Sequence, residues 1–429
     1  MSEGKIGMKL QRVIIDGFKN LNNVNVLFDD ITALISINNF GKSNFLKGIS
    51  FGISFIKANE NVKNKMLMAR NFLPFNISNY GKKFSFEIEA TTELVNDSYI
   101  ICYSFVAKWG INSPDEAVIE YESLKIKCNS KPHQKFETII KRTNEECIYK
   151  TTETGRCSTK ISIERLNLAV NKLKSFDNLY YVDLLKEINN ITLYMEDTID
   201  PRSFYNPDPV ILKGVGDVMF RSNNLPRVLY KIKESTPDKY ELIENTFKEL
   251  FRNVEDLKLQ EFKVDYKGPQ LPDDLPYTIS DSLYRLSVKD KFLSGPIDFE
   301  EMSDGAKRIL ILLTRIVLAN MSKVSLIAIE EPENSIHPSL LNAYIQVISN
   351  LLDGCKLIFT SHSPYLISYL LSHGIYAGIS DGEGGAQFKK INPEVLYKDA
   401  KEVETQVGDY LFQILADDDD ELLRKYIGD

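Results

Sequence analysis

The residues of this 429-residue chain best equipped for chemistry lie at four places. The stretch LISINNFGKSN, Leu34 to Asn44, comes close to the phosphate-loop pattern G-x-x-x-x-G-K-[ST], with Ser36 where the pattern has its first glycine. Backbone N–H groups of Asn38, Asn39, Phe40, Gly41, Lys42 and Ser43, running on to Asn44, could wrap a β-phosphate at a helix start that favours anions. Lys42 would neutralise β- and γ-phosphate charge, and the Ser43 hydroxyl would hold Mg2+. A chance match to so short a pattern is the alternative. The second place is SLIAIEEPENSIHP, where Glu330 and Glu331 end an apolar run. Adjacent carboxylates repel each other unless a cation is present. Glu330 could bind Mg2+ through water while Glu331 polarises an attacking water; a helix start after Pro332 is the plainer alternative. The third is EEMSDGAKRIL, where Ser303 and Gly305 begin a helix and form either a second anion site or an ordinary N-cap. The fourth is LIFTSHSPYL, where His362 could sense a γ-phosphate or be merely structural.

These residues need elements to hold them. RVIIDGF (Arg12 to Phe18) and DDITALISI (Asp29 to Ile37) are rich in β-branched residues and predict strands. After Gly41, Phe45, Ile49, Ile53 and Ile56 recur at helical spacing, with Leu46 on the same side. The lysine loop therefore joins a buried strand to a helix, the context a phosphate loop requires. KVSLIAIEE and CKLIFTSHS read as buried parallel strands ending in the glutamates and the histidine, and chemistry in such sheets gathers at strand carboxyl ends. From Phe84 to about Lys150 apolar and polar residues alternate, predicting antiparallel strands; from about Ile161 to Arg252 the texture is helical.

The bulk properties narrow the class. The chain is 43% hydrophobic and 26% charged, as an ordinary globular protein is, and its net charge of −8 argues against a coat for nucleic acid. Lys82, Lys83, Lys125, Lys127, Lys131 and Lys135 could still make a local basic region or simply a solvated face. Five scattered cysteines and four histidines give no structural zinc pattern and suggest a reducing compartment. The longest apolar run, Ile309 to Ala319, is broken by Arg315 and too short for a bilayer. A cytoplasmic protein with no membrane contact is expected, and the acidic run from Asp417 to Glu421 reads as a solvated tail.

Taken in order, phosphate loop, serine–glycine helix, paired glutamates and histidine turn resemble the ABC-type ATPases of the OLD, RecF and SMC group. The likeness is greatest to single-chain bacterial ATPases whose Walker B motif reads EEPE…HP and whose switch reads SHSP. SINNFGKS corresponds to Walker A, MSDGAK to the signature motif, IAIEEPENSIHP to Walker B with its D-loop, and His362 to the switch histidine. Ser36 replaces a glycine, Asp304 stands for the signature's first glycine and Ala306 for its polar end, and many relatives carry Asp at the position of Glu330. The segment near ARNFLPFNIS, where a glutamine loop would lie, contains no glutamine.

The resemblance implies an α/β P-loop ABC-type ATPase head, with a mainly parallel core sheet, an antiparallel β-lobe and a helical insertion. The expected parts are 1–83 with Walker A, 84–150 as the β-lobe, 151–262 as the mainly helical insertion, 263–400 with signature, Walker B and switch, and 401–429 as a C-terminal helix and acidic tail. It implies ATP and Mg2+ as ligands, Glu331 as general base and His362 as sensor. Ser303 and Gly305 would act in trans, so that a homodimer or higher homo-oligomer shares each ATP. The residues after His362 lack the spaced acidic clusters of the Toprim nuclease domain that OLD proteins carry there. The resemblance therefore points to a slow ATPase paired with a separate effector, a nuclease or toxin, as in anti-phage defence systems of the Septu or PARIS kind. The alternative is a RecF-like repair ATPase acting directly on DNA.

Overall fold

The computed structural model describes residues 7–36, 40–94, 97–111, 113–130, 135–196, 210–212, 224–265, 268, 272, 274–275, 277–352, 354–370, 373–416 and 420–427. They fall into two compact units: Met1–Asp197 with Lys323–Pro332 and Gly354–Asp429, and Thr198–Ser322 with Glu333–Asp353.

The first unit holds two sheets, with strands numbered in chain order. The core sheet runs β10-β16-β17-β3-β18-β19, built from β3 (Ile31–Ile35), β10 (Leu193–Glu196), β16 (Leu326–Glu330), β17 (Leu357–Ser361), β18 (Gly374–Ser380) and β19 (Ala386–Lys390). Every pairing in it is parallel except that of β18 with β19. β3, β16 and β17 are apolar and buried almost throughout, as strands covered on both faces must be. The antiparallel sheet runs β2-β1-β4-β5-β6-β7-β8-β9, from β1 (Lys9–Asp16), β2 (Val24–Leu27), β4 (Phe84–Leu94), β5 (Asp97–Lys108), β6 (Val118–Cys128), β7 (Glu137–Arg142), β8 (Cys147–Tyr149) and β9 (Thr159–Lys160).

Helix α1 (Lys42–Lys57) lies between them and joins both sheets into one hydrophobic core. Phe45, Leu46, Ile49, Ile53 and Ile56, the residues that set its period, are all buried. Its other face carries small residues because a sheet presses on it. A Cβ at Gly52 would lie 2.3 Å from the Phe86 ring, and one at Gly48 would lie 2.9 Å from Ile15. On the core-sheet side Phe45 meets Phe388 of β19 at 6.2 Å between ring centroids. Phe51 packs with Phe18, Phe72, Phe84 and Trp109, each ring contributing roughly 1.5–3 kcal/mol by burial. Helices α2 (Glu60–Met68), α3 (Ala169–Leu173), α4 (Val182–Asn190), α9 (Pro364–Tyr369), α10 (Pro393–Glu402), α11 (Val407–Ala416) and α12 (Asp420–Arg424) complete the unit.

In the second unit β11 (Val210–Leu212) pairs with β13 (Tyr277–Ile279), and β12 (Val254–Lys263), β14 (Ser282–Asp290) and β15 (Ile297–Asp298) form an antiparallel sheet. Around them are α5 (Leu225–Ser235), α6 (Pro237–Leu250), α7 (Asp304–Met321) and α8 (Pro338–Leu351). Every residue of α7 from Ala306 to Ala319 is buried, which explains its apolar run.

The expected α/β architecture, a parallel core sheet with the loop–helix unit and an antiparallel lobe, is the one observed. One local expectation is corrected. Within Ile161–Arg252, expected to be helical, Leu193–Glu196 is a strand that enters the core sheet beside β16. Four residues carry too little periodicity to announce an edge strand, and only the β16 partner makes it one. Of the C-terminal acidic run, expected to be a solvated tail, 417–419 lie outside the described residues. Residues 420–424 form α12, after which Tyr426 is fully buried and donates its hydroxyl to Asp399 at 2.6 Å. Among the described residues, no helix is long and apolar enough to cross a membrane.

Candidate nucleotide-binding site

The strand order decides what meets what. β16, β17 and β3 are consecutive in the core sheet, so their carboxyl ends bring three distant sequence segments together. There the chain leaves a cleft of about 290 Å³ lined by Phe40, Gly41, Lys42, Ser43, Asn44, Glu331, Thr360 and His362. Asn38 and Asn39 lie outside the described residues. Glu330 ends β16 in register with Thr360 but is not among the cleft's lining residues.

One wall is the start of α1. Gly41 is its N-cap, at φ 129°, a conformation that disfavours side chains. Gly41 has no side chain with which to cap the helix, and a helix start of this kind favours an anion. Behind Gly41 stands Asn20, which donates through Nδ2 to the Phe40 carbonyl at 2.9 Å and accepts from Asn44 Nδ2 at 2.8 Å. The Lys42 ammonium is buried and donates to Ser36 twice, to the carbonyl at 2.8 Å and the hydroxyl at 3.0 Å. Ser36 needs no left-handed backbone, since it is not among the residues of positive φ. Its bulk is accommodated across the sheet, where a Cβ on Gly378 of β18 would lie 2.7 Å from the Ser36 Cβ and 2.6 Å from the Phe40 ring. The glycine missing from the loop is matched by one on the neighbouring strand.

The facing wall comes from β16 and β17. Glu331 adopts φ 46°, uncommon for a residue with a side chain, and its N–H is held by the Thr360 carbonyl at 3.0 Å. The Ser361 hydroxyl accepts from Ser363 N at 3.0 Å and shapes the turn that carries His362. His362 Nε2 lies 3.6 Å from Glu331 Oε1. Burial, and next the nearby Lys42 ammonium, lower the His362 pKa against the opposing pull of Glu331, which favours the neutral imidazole.

The donor set suits a nucleotide with Mg2+. The start of α1 with Lys42 and Ser43 lines the cleft together with Thr360 and Glu331, which between them carry an ammonium, two hydroxyls and a carboxylate. Among the described residues no three His, Cys, Asp or Glu gather as a metal cage. Mg2+ in nucleotide sites needs only one or two protein groups and completes its shell with water and phosphate.

Ser303 and Gly305 belong to the second unit. Ser303 caps α7, its hydroxyl accepting from Ala306 N at 3.3 Å. Gly305 sits so close to Ser335 that a Cβ would lie 2.4 Å from its carbonyl oxygen. No helix follows Pro332 directly; α8 starts after His337, whose ring accepts from Ser339 N. Of the basic positions, Lys82 pairs with Asp16 and Lys83 with Glu120, while Lys131 lies outside the described residues. Thr360, Asn20 and Gly378 were not foreseen. The Asn in GFKN, just after β1, was the one available signal, and nothing local ties it to a loop twenty residues on.

Solved structures similar to this chain include an SMC head bound to the C-winged helix domain of ScpA, at 13% identity and a TM-score of 0.46, covering 91% of this chain and 99% of that one. The SMC head domain from Thermotoga maritima gives 10% and 0.40, covering 89% and 99%. The recombination mediator protein RecF with a nucleotide analogue gives 12% and 0.40, covering 90% and 99%. No curated protein matches significantly. The sequence profile of the family described as "AAA domain, putative AbiEii toxin, Type IV TA system" matches residues 31–368, from β3 through the lysine loop and paired glutamates to the turn after His362, and the chain belongs to that family of P-loop ATPases.

Proposed function

We propose that this chain is a slow ATP-hydrolysing switch that closes as a homodimer, or within a higher homo-oligomer, and controls a separate effector, a nuclease or toxin, in anti-phage defence. The cleft supports the nucleotide part of this reading, because it brings the Gly41-led start of α1 and Lys42 together with Glu331 and His362. In it Lys42, Ser43 and the loop from Asn38 to Asn44 hold the phosphates. Glu331 accepts the proton of a water whose oxygen attacks the γ-phosphorus, the bond to the β–γ bridging oxygen breaks, and ADP leaves. Neutral His362 hydrogen-bonds the γ-phosphate. Mg2+, held by Ser43 and through water by Glu330, would neutralise phosphate charge. Ser303 and Gly305 of a second copy would complete each site in trans, which makes assembly depend on ATP by mass action. The segment from Ile161 to Arg252, which supplies none of the residues assigned to the chemistry, is the proposed place for effector contact, in the cytoplasm. The family's toxin–antitoxin description supports the pairing with an effector.

Glu331→Gln should slow hydrolysis about 100-fold or more while Mg–ATP still binds and dimers accumulate. Undiminished turnover would remove Glu331 from this role. A RecF-like action on DNA is the second reading, favoured if DNA stimulates hydrolysis with a steep salt dependence. Co-purification of an effector with the untreated native protein separates the two.

A further inference from the structure

We propose that Asn20 is the positioning residue of the phosphate loop, holding it in its nucleotide-ready shape from outside the cleft. This deepens the nucleotide reading above and rests on it. Asn20 does not line the cleft, yet it bonds two residues that do. The Phe40 carbonyl can only accept, which fixes the Asn20 amide with Nδ2 toward it and Oδ1 toward Asn44, whose amide must then donate. One side chain thus spans the loop, from the residue before the Gly41 N-cap to the first turn of α1. It also stands against Gly41 itself, where a Cβ would lie 3.1 Å from Asn20 Oδ1.

A positioning group must itself be fixed. Asn20 sits in the turn after β1, where Leu21 N bonds the Phe18 carbonyl at 2.9 Å. The Asn20 carbonyl accepts from Ala386 N at 2.7 Å, and Asn22 N returns a bond to the Ala386 carbonyl at 3.0 Å. Fully buried Asn79 donates to the Leu21 carbonyl at 2.7 Å, and the Trp109 indole to the Gly17 carbonyl at 3.0 Å. The turn is therefore clamped by β19, by the segment before β4 and by the residue after β5. Asn79 lies just beyond ARNFLPFNIS, the segment without the expected glutamine, so that region reaches the nucleotide loop through Asn20.

The test compares the full-length protein with Asn20→Ala and Asn20→Asp, using Mg–ATP titration and hydrogen exchange of peptides covering 40–48 and 84–108. Asn20→Ala should weaken Mg–ATP binding about tenfold and, without nucleotide, speed exchange in 40–48 while leaving 84–108 unchanged. Asn20→Asp should do the same at pH 8. Relative to the parent at each pH it should recover protection of 40–48 as pH falls through the ordinary carboxylate range, because a protonated carboxyl can again donate to the Phe40 carbonyl. Affinity within twofold of the parent, or equal loss of protection in both peptides, would overturn the proposal. A parent that binds no Mg–ATP would instead sink the nucleotide reading, and the exchange of nucleotide-free 40–48 would still decide the part played by Asn20.

Discussion

Two helix starts in the first unit meet the same electrostatic need in opposite ways. α3 begins at Ala169 against the carboxylate of Glu122, which is fully buried and accepts from Ala169 N at 2.6 Å, Val170 N at 3.0 Å and the Tyr103 hydroxyl at 3.0 Å. α1 begins at Lys42 after Gly41, which has no side chain to cap it, and lines a cleft. A helix N-terminus attracts an anion in both places. At α3 the chain supplies it, and the result is a closed joint between the β-lobe and its flanking helix. At α1 the N-cap glycine supplies none, and the proposed phosphate site lies there. The same physics yields stability where the anion is covalently present and function where it must arrive from solution.

The contrast can be broken at either end. The largest effect is expected from Glu122→Ala, which strands three buried donors and should cost about 3–5 kcal/mol of stability, read from denaturant midpoints, with little change in nucleotide affinity for the folded protein. Next, Lys42→Ala should weaken Mg–ATP binding about 10–100-fold and cost less stability, about 1–2 kcal/mol for the two buried bonds to Ser36. A stability loss as large as that of Glu122→Ala would erase the distinction.

A smaller effect is expected from Glu122→Gln, which keeps one acceptor, at about 1–2 kcal/mol. Burial raises the Glu122 pKa against the opposing pull of the two backbone bonds and Arg142. A carboxyl with a raised folded pKa contributes stability below its unfolded pKa and loses it as pH rises through the folded one. The deficit of Glu122→Gln should therefore be greater near pH 5 than near pH 8. The smallest effect concerns Ser36, whose hydroxyl competes with phosphate for Lys42. Ser36→Gly should tighten Mg–ATP binding by about two- to fivefold, and weaker binding would mean that Ser36 orients Lys42 instead.

How far the sequence could be read differs between these two ends. The bare start of α1 was legible because Gly41, Lys42 and Ser43 are contiguous and stand between a β-branched run and a helical period. The filled start of α3 was not. Glu122 sits in an alternating strand like any solvent-facing glutamate, and its partners Ala169 and Val170 are nearly fifty positions away. Asn20 and Gly378 were hidden for the same reason. Each acts on the loop across a sheet, with no periodic signal to mark it.

The sequence by itself determined which residues could do chemistry and the local form that carries them, because strand propensity, helical period and loop composition act over a few residues. Only the tertiary structure decided that β16, β17 and β3 are neighbours and that β10 completes their sheet. Parallel pairing is made through long crossovers whose strand order leaves no trace in local pattern. That order sets Glu331, Thr360 and His362 across a cleft from Lys42, gives Ser36 its room opposite Gly378, and brings Asn20 up behind the loop.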